Sequence, residues 1–220
     1  MKSEIINKRS LLLSALLIFA LNALTFAQTL KDVFTSSETQ IMYLGLDYTK
    51  AKLIDDVNAN VMDIKERQYA GINELVVTES KKYDLKSAFH KSFVDHDLGP
   101  VTKSNEKINA EEIKSTNTSD FHRLQATDID GVVRGLDLAG QKGVIGLLFV
   151  VEGMSKSEKA AAVWVTFIDM RSKKVLMTER MLGKTGMGFG FRNFWAAPIK
   201  NIIDEIEKKK YEEWKSKYGH

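Results

Sequence analysis

The sequence contains no cysteine and only two prolines among its 220 residues. The lack of cysteine excludes disulfides, metal sites with thiolate ligands, a thiol nucleophile and a lipid-modified cysteine anchor. With two prolines and 14 glycines, the chain also lacks the composition of a linker-rich or low-complexity protein. Because 44% of the residues are hydrophobic and 28% are charged, the composition predicts an ordinary globular protein.

The sequence also lacks a recognisable catalytic or metal-binding motif. No two of the four histidines have the i, i+4 spacing of a helical metal site. Asp128–Gly131 resembles part of a calcium loop, but Ala126 would then occupy the first ligand position and offers no side-chain oxygen. Gly183–Thr185 resembles the end of a P-loop without its upstream glycine. We therefore predict no cofactor and no metal, and we favour a non-enzymatic protein.

The N-terminus has the pattern of a cleaved signal peptide. Three basic residues precede an uncharged apolar run, Leu11–Phe26, and Ala27 lies where signal peptidase would cut. The alternative, a membrane anchor, requires about 20 apolar residues, and this run is shorter. We predict a signal peptide over residues 1–27, a single domain over 28–220, and a location in the periplasm, at the outer membrane or outside the cell.

The mature chain has little net charge and no second long apolar run. Cleavage after Ala27 leaves a net charge of about +1, because it removes three basic residues and one acidic residue. Such a chain lacks the basic stripe of a nucleic-acid-binding protein. We therefore expect neither a nucleic-acid partner nor an integral membrane span in the mature chain.

Hydrophobic periodicity predicts the main elements. Residues 41–48 are apolar on both faces, which is typical of an interior strand, whereas residues 61–80 have the spacing of an amphipathic helix. Residues 143–152 are almost wholly apolar, which predicts a strand covered on both sides. An apolar stripe beginning at Ile199 predicts a closing helix.

Two alternating segments, 160–170 and 174–182, predict a β-hairpin that turns at Arg171–Lys173. In its first strand, Val165 and Phe167 should face away from Trp164 and Ile168, because side chains alternate between the two faces. The element order predicts an α+β fold: one domain with a mostly antiparallel sheet, this C-terminal hairpin, and helices packed on the sheet.

The segment from Gly186 to Trp195 alternates glycine with bulky residues. This period of two predicts a strand that turns Met187, Phe189 and Phe191 towards the core, because burying a phenylalanine contributes roughly 1.5–3 kcal/mol. The bare glycine face should then lie against either the closing helix or an outside partner. Asn193 is the predicted N-cap of that helix.

Two interpretations of this segment stay open. Arg192 and Trp195 could hold the closing helix in place, which is the structural interpretation and the one we favour. Alternatively, Arg192, Trp195, Phe189 and Phe191 could contact a ligand or a partner, with Trp195 stacking and Arg192 pairing with an anion.

Three stretches, IMYLGLDYTKAKLI, KKYDLKSAF and Lys142 to the C-terminus, resemble an uncharacterised group of exported proteins from Bacteroidota. At the level of fold, the apolar strand, the hairpin VWVTFIDMRSKKVLMTERM and the closing helix are similar to periplasmic domains of the TolB N-terminal and curli-secretion-lipoprotein kind. That resemblance implies an interaction module, although this chain lacks the anchoring cysteine.

The function we predict is a non-catalytic module that binds an envelope protein. The alternative is a periplasmic protein that binds a small ligand or a glycan. A broad apolar surface would favour the first function, and a deep pocket around polar groups would favour the second.

Overall fold

The computed structural model describes residues 29–140 and 145–220, so the predicted signal peptide, residues 1–27, lies outside the described residues. Within these ranges seven strands form one sheet. The strands are β1 (Ile41–Asp47), β2 (Lys52–Ile54), β3 (Val94–His96), β4 (Lys114–Ser115), β5 (Ile145–Ser155), β6 (Ala160–Asp169) and β7 (Lys174–Lys184).

Six helices accompany the sheet in the described part of the chain, besides two short 3₁₀ segments at Ala110–Glu112 and Thr118–His122. Two of the six contain a π-helical stretch. The helices are α1 (Leu30–Thr35), α2 (Val61–Asp63, π-helical Ile64–Gln68 and Tyr69–Thr78), α3 (Leu85–Ala88), α4 (Gly99–Asn105), α5 (Ala126–Gly135) and α6 (Gly190–Glu205, π-helical Ile206–Lys210 and Tyr211–Tyr218).

Strand β5 lies at the centre of the sheet. Along one edge, its first half pairs with β1 and its second half with β2, both in parallel. Strand β3 extends the sheet beyond β1, and β4 extends it beyond β2, again in parallel. Along its other edge, β5 pairs antiparallel with β6, which pairs antiparallel with β7.

The predicted α+β fold with a mostly antiparallel sheet is therefore wrong. Four of the six strand pairings among the described residues are parallel, and helices connect the parallel strands, as in α/β proteins. Three of these four pairings involve β2, β3 or β4, which have two or three residues each. Strands of that length are too short for hydrophobic alternation to reveal them.

The hairpin formed by β6 and β7 confirms the predicted reversal at Arg171–Lys173. Val165 and Phe167 lie in one core cluster, whereas Trp164 and Ile168 lie in another on the opposite face of the sheet. The described part of the predicted strand 143–152 is also buried on both faces, as expected.

Helices cover both faces of the sheet. Residues from α1, α2, α3 and α6 belong to the larger core cluster, which contains Leu147, Phe149 and Val151 of β5. Residues from α4 and α5 belong to the other cluster, with Leu148 and Val150. Since every residue of β5 is buried, this strand connects the two halves of the core.

One charged side chain, that of Glu152, lies fully buried within β5. Its Oε2 accepts from Nε of Arg180 at 2.7 Å and from Nε1 of Trp164 at 3.1 Å, and its Oε1 accepts from the backbone N–H of Leu124 at 2.6 Å. Arg180 also donates to the carbonyl of Phe121. The carboxylate therefore joins three strands to residues 121–124, and it has the partners that a buried charge requires.

Helix α6 runs against β7 and is held there along its length. A side chain at Gly183 would clash with the backbone of α6, because its Cβ would lie 2.0 Å from the carbonyl oxygen of Pro198. Further along, Nε1 of Trp214 donates to Glu179 at 2.6 Å, and Lys210 forms a 2.8 Å salt bridge with the same carboxylate. Of the helices that the structure describes, none combines the length and apolar character needed to cross a bilayer.

We expect Phe167→Ala to lower the free energy of unfolding by about 3–5 kcal/mol. Phe167 is fully buried and makes edge contacts with Phe34 and Phe89, at centroid distances of 5.8 Å and 5.4 Å. Urea denaturation measures this change. Leu182→Ala on β7 is the control, because Leu182 is 47% exposed and should cost much less. A loss below 1 kcal/mol for Phe167→Ala would contradict the assignment of this face to the core.

Candidate functional site

The segment singled out in the sequence is a loop followed by a helix, so the prediction of a strand over residues 186–191 is wrong. Residues 185–189, the glycine loop, have no regular structure, and α6 begins at Gly190. Gly190 has φ +76°, a conformation that glycine adopts readily and that ends an extended chain. The predicted N-cap is also wrong, since Phe189 occupies that position and Asn193 lies in the first turn of α6.

The bulky side chains of the glycine loop point into solvent. Met187 is 103% exposed and Phe189 is 94% exposed, so the expectation that both enter the core is wrong. The physical reason is that the backbone of Gly188 packs closely on α6: a Cβ at this position would lie 2.6 Å from the carbonyl carbon of Asn193. The loop thus packs its bare backbone on the closing helix and turns its side chains outwards.

The other residues named from the sequence lie in the first two turns of α6. Trp195 is buried and packs against Phe194 and Phe191, at centroid distances of 5.0 Å and 6.3 Å. Arg192 is exposed, and its Cδ would lie 3.0 Å from a Cβ placed on Gly71 of α2. Trp195 thus belongs to the larger core cluster, whereas Phe189 is exposed, and the contact of these residues with a ligand or partner stays a prediction.

A cavity of about 420 Å³ lies between the glycine loop and the start of α2. It is placed at the carboxyl ends of parallel strands, because Asp56 and Asn58 follow β2 and Lys156 follows β5. Ligand sites of α/β proteins commonly lie at such ends. The lining residues are Asp56, Asn58, Ala59, Asn60, Asp63, Ile64, Lys156, Gly188, Gly190, Phe191, Phe194 and Trp195.

The charged groups that line this cavity are already paired. Asp56 forms a 2.9 Å salt bridge with Lys156. Asp63 accepts a hydrogen bond from Gln68 at 2.7 Å and pairs with Arg67, and these two donors lower the pKa of Asp63. Across residues 29–140 and 145–220, no group of three potential metal ligands occurs. The lining therefore offers amide donors and acceptors, together with aromatic faces, rather than an unpaired charge.

Four exposed apolar side chains belong to the segments that line the cavity. Val57 (70% exposed), Met62 (52%), Met187 and Phe189 form what we term the apolar rim. Each member is adjacent in sequence to a residue of the lining. Val57, Met62 and Lys156 were not predicted from the sequence. For Met62 a signal existed, because it lies off the apolar stripe of the helix predicted over residues 61–80.

No protein-family model and no curated protein matches the chain. Among solved structures, the chain is similar to the C-terminal domain of LpoB from Salmonella enterica, with 6% sequence identity and a TM-score of 0.31, over 68% of this chain and 85% of that one. It is also similar to a lipoprotein from Neisseria meningitidis, with 12% identity and a TM-score of 0.30, over 78% of this chain and 98% of that one. Likenesses at these TM-scores carry no conclusion about function, and the resemblance to exported proteins of Bacteroidota stays a prediction.

We expect Gly188→Ala to destabilise the protein by about 1–3 kcal/mol, because the added methyl group would overlap the backbone of the first turn of α6. Urea denaturation measures the change. Gly131→Ala on α5 is the matched control, since its Cβ would meet nothing within 4 Å and alanine favours a helix. Equal stability of the Gly188→Ala variant and the wild type would show that the loop does not lie on α6.

Proposed function

We propose that the protein is a non-catalytic interaction module that binds a protein partner in the bacterial envelope through the apolar rim. The observation that carries this proposal is the exposure of Met187 and Phe189, at 103% and 94%. Burying a phenylalanine contributes roughly 1.5–3 kcal/mol, and folding does not provide this stabilisation for Phe189 because its side chain stays exposed. Contiguous exposed apolar residues commonly mark protein interfaces.

The way in which the rim is presented supports this function. The glycine loop is fixed on α6 through Gly188, so Met187 and Phe189 project from a defined position. Aromatic side chains that enter a partner's pocket dominate the binding energy of many interfaces. Methionine fits irregular apolar surfaces, because its side chain is unbranched and flexible. Together they suit a partner with an apolar groove.

The chemistry of the partner follows from the cavity beside the rim. Asp56 is paired with Lys156, and Asp63 with Arg67, so neither carboxylate is available for a new salt bridge without breaking the old one. We therefore expect the partner to fill the cavity with an apolar or uncharged side chain. Hydrogen bonds to Asn58 and Asn60, which line the cavity, would fix the orientation of the partner in it.

The proposed location rests on the pattern of residues 1–27, which is typical of a signal peptide. A mature chain without cysteine needs no oxidising compartment to fold, and its two-sided core provides stability instead. An exported, cysteine-free module with an exposed apolar rim suits an envelope partner.

The cavity itself favours one second candidate, the binding of a small ligand or a glycan. Its volume of about 420 Å³ is within the range of small-molecule sites. Its lining combines the half-buried rings of Phe191 and Phe194 with the amides of Asn58 and Asn60. Aromatic faces and amides together can hold a sugar ring, which has apolar faces and hydroxyl edges.

We expect a photo-reactive benzoylphenylalanine at position 189 to cross-link one discrete protein in an envelope extract of the native organism. Excess unlabelled wild-type protein should compete the product away, and excess Phe189→Ser protein should not. Because Phe189 is 94% exposed, Phe189→Ser should change the free energy of unfolding by less than about 0.5 kcal/mol.

The matched control places the same photo-reactive residue at Phe93, which is 63% exposed and lies outside the rim. The proposal fails if position 189 gives no discrete product, or if both positions give the same product in equal yield. Calorimetry with N-acetylglucosamine and its disaccharide tests the second candidate. Saturable sugar binding without a cross-linked protein would replace the first function by the second.

A further inference from the structure

A second cavity, of about 810 Å³, lies apart from the first and shares no lining residue with it. Its lining includes Thr49 and Lys50, which follow the carboxyl end of the parallel strand β1. Ser104 near the end of α4 lines one side, and Thr127 and Val132 of α5 line another. The cavity thus occupies a place in the sheet where α/β proteins commonly bind ligands.

Among the charged side chains of the lining, the basic ones outnumber the acidic ones. Four of them, Lys50, Lys107, Arg123 and Arg134, are exposed, and among the described residues none forms a salt bridge with a carboxylate. We term them the basic cluster. For comparison, Lys103 lies four residues before Lys107 on the same segment and is paired with Asp137 at 3.1 Å.

The acidic residues of the lining do not neutralise the basic cluster. Glu112 accepts a hydrogen bond from the side chain of Asn109 at 3.0 Å, and Asp128 accepts one from the backbone N–H of Gln125 at 2.7 Å. Both carboxylates therefore serve local turns and caps. With four cations against two engaged carboxylates, the cavity has a surplus of positive charge.

A buried carboxyl group lies directly behind the lining. Asp47 is fully buried, and its Oδ1 accepts from the backbone N–H of Thr49 at 2.9 Å. Ser104, another lining residue, lies close enough to Asp47 to favour its charged form. Burial raises the pKa of Asp47, although its hydrogen bonds from Thr49 and the positive charge of Lys50 act in the opposite direction.

We propose that this cavity binds a ligand that carries a negatively charged phosphate group. The fork of an arginine matches two oxygens of a phosphate group, and lysines add compact charges around it. A cavity of about 810 Å³ exceeds the size of one inorganic phosphate and accommodates a ligand with several groups. The ligand is either a free phosphate ester or the phosphate headgroup of a lipid. This site is independent of the proposed function of the apolar rim.

Calorimetry with inorganic pyrophosphate at low ionic strength, on the chain without residues 1–27, tests the free ligand. Sedimentation with phosphatidylglycerol vesicles, against phosphatidylcholine vesicles, tests the lipid. The test variant is Lys107→Gln with Arg134→Gln, both exposed and free of salt bridges among the described residues. Lys103→Gln is the control, since it removes one charge from the same segment outside the lining.

We expect the double variant to weaken binding about tenfold or more, because each lost charged hydrogen bond is worth about that factor. The control should change binding less than about twofold, since screening limits the influence of a more distant charge. Saturable binding of pyrophosphate that depends on the basic cluster assigns a free ligand. Binding confined to phosphatidylglycerol vesicles, with the same dependence, assigns a headgroup. The proposal is overturned if neither pyrophosphate nor phosphatidylglycerol vesicles bind, or if Lys103→Gln weakens binding as much as the double variant does. Loss of partner binding in Phe189→Ser concerns only the apolar rim and leaves this proposal standing.

Discussion

Complete burial of β5, on both faces and along both edges, is the constraint on which the other elements depend. The first half of β5 pairs with β1 and its second half pairs with β2, so one long strand has two shorter parallel neighbours along the same edge. The only charge that it buries, Glu152, obtains its partners from β6, β7 and the backbone before α5. Removing one partner of such a group leaves an unpaired charge in the core. The strand order and the placement of residues 121–124 are therefore coupled.

The same division of β5 places both candidate sites. β1 and β2 lie one after the other along the same edge of β5. The carboxyl end of β1 therefore lies at a different position along the sheet from the carboxyl ends of β2 and β5. The cavity of about 810 Å³ follows β1, and the cavity of about 420 Å³ follows β2 and β5. The two differ in chemistry: among the described residues, the cations that line the first form no salt bridge with a carboxylate, whereas the charges that line the second are paired beside an apolar rim. We infer that they recognise different classes of molecule.

The elements that sequence predicted well are long and regular. Strands β5, β6 and β7 have ten or eleven residues, so their apolar runs and alternation identify both the strands and their faces. The parallel pairings could not be predicted in this way, because β2, β3 and β4 carry two or three residues each. Their positions depend on contacts with residues distant in sequence, such as Lys52 opposite Gly153.

The candidate site was predicted in part. The alternation of glycine and bulky residues singled out a segment that lines part of the smaller cavity, but it indicated a strand because a period of two is the signature of an extended chain. The closeness of Gly188 to Asn193 and the positive φ of Gly190 show instead a loop that turns into a helix, and a period of two carries no sign of either. Val57 lies in a polar stretch, so its membership of the rim depends on the tertiary fold.

The central claim is that the apolar rim is the surface that a protein partner covers. Hydrogen exchange followed by mass spectrometry, on the purified chain with and without its captured partner, measures this directly. We predict slower exchange over residues 185–195 and 56–64, and unchanged exchange around Phe93. Protection elsewhere, with exchange in both of these segments unaltered, would contradict the claim.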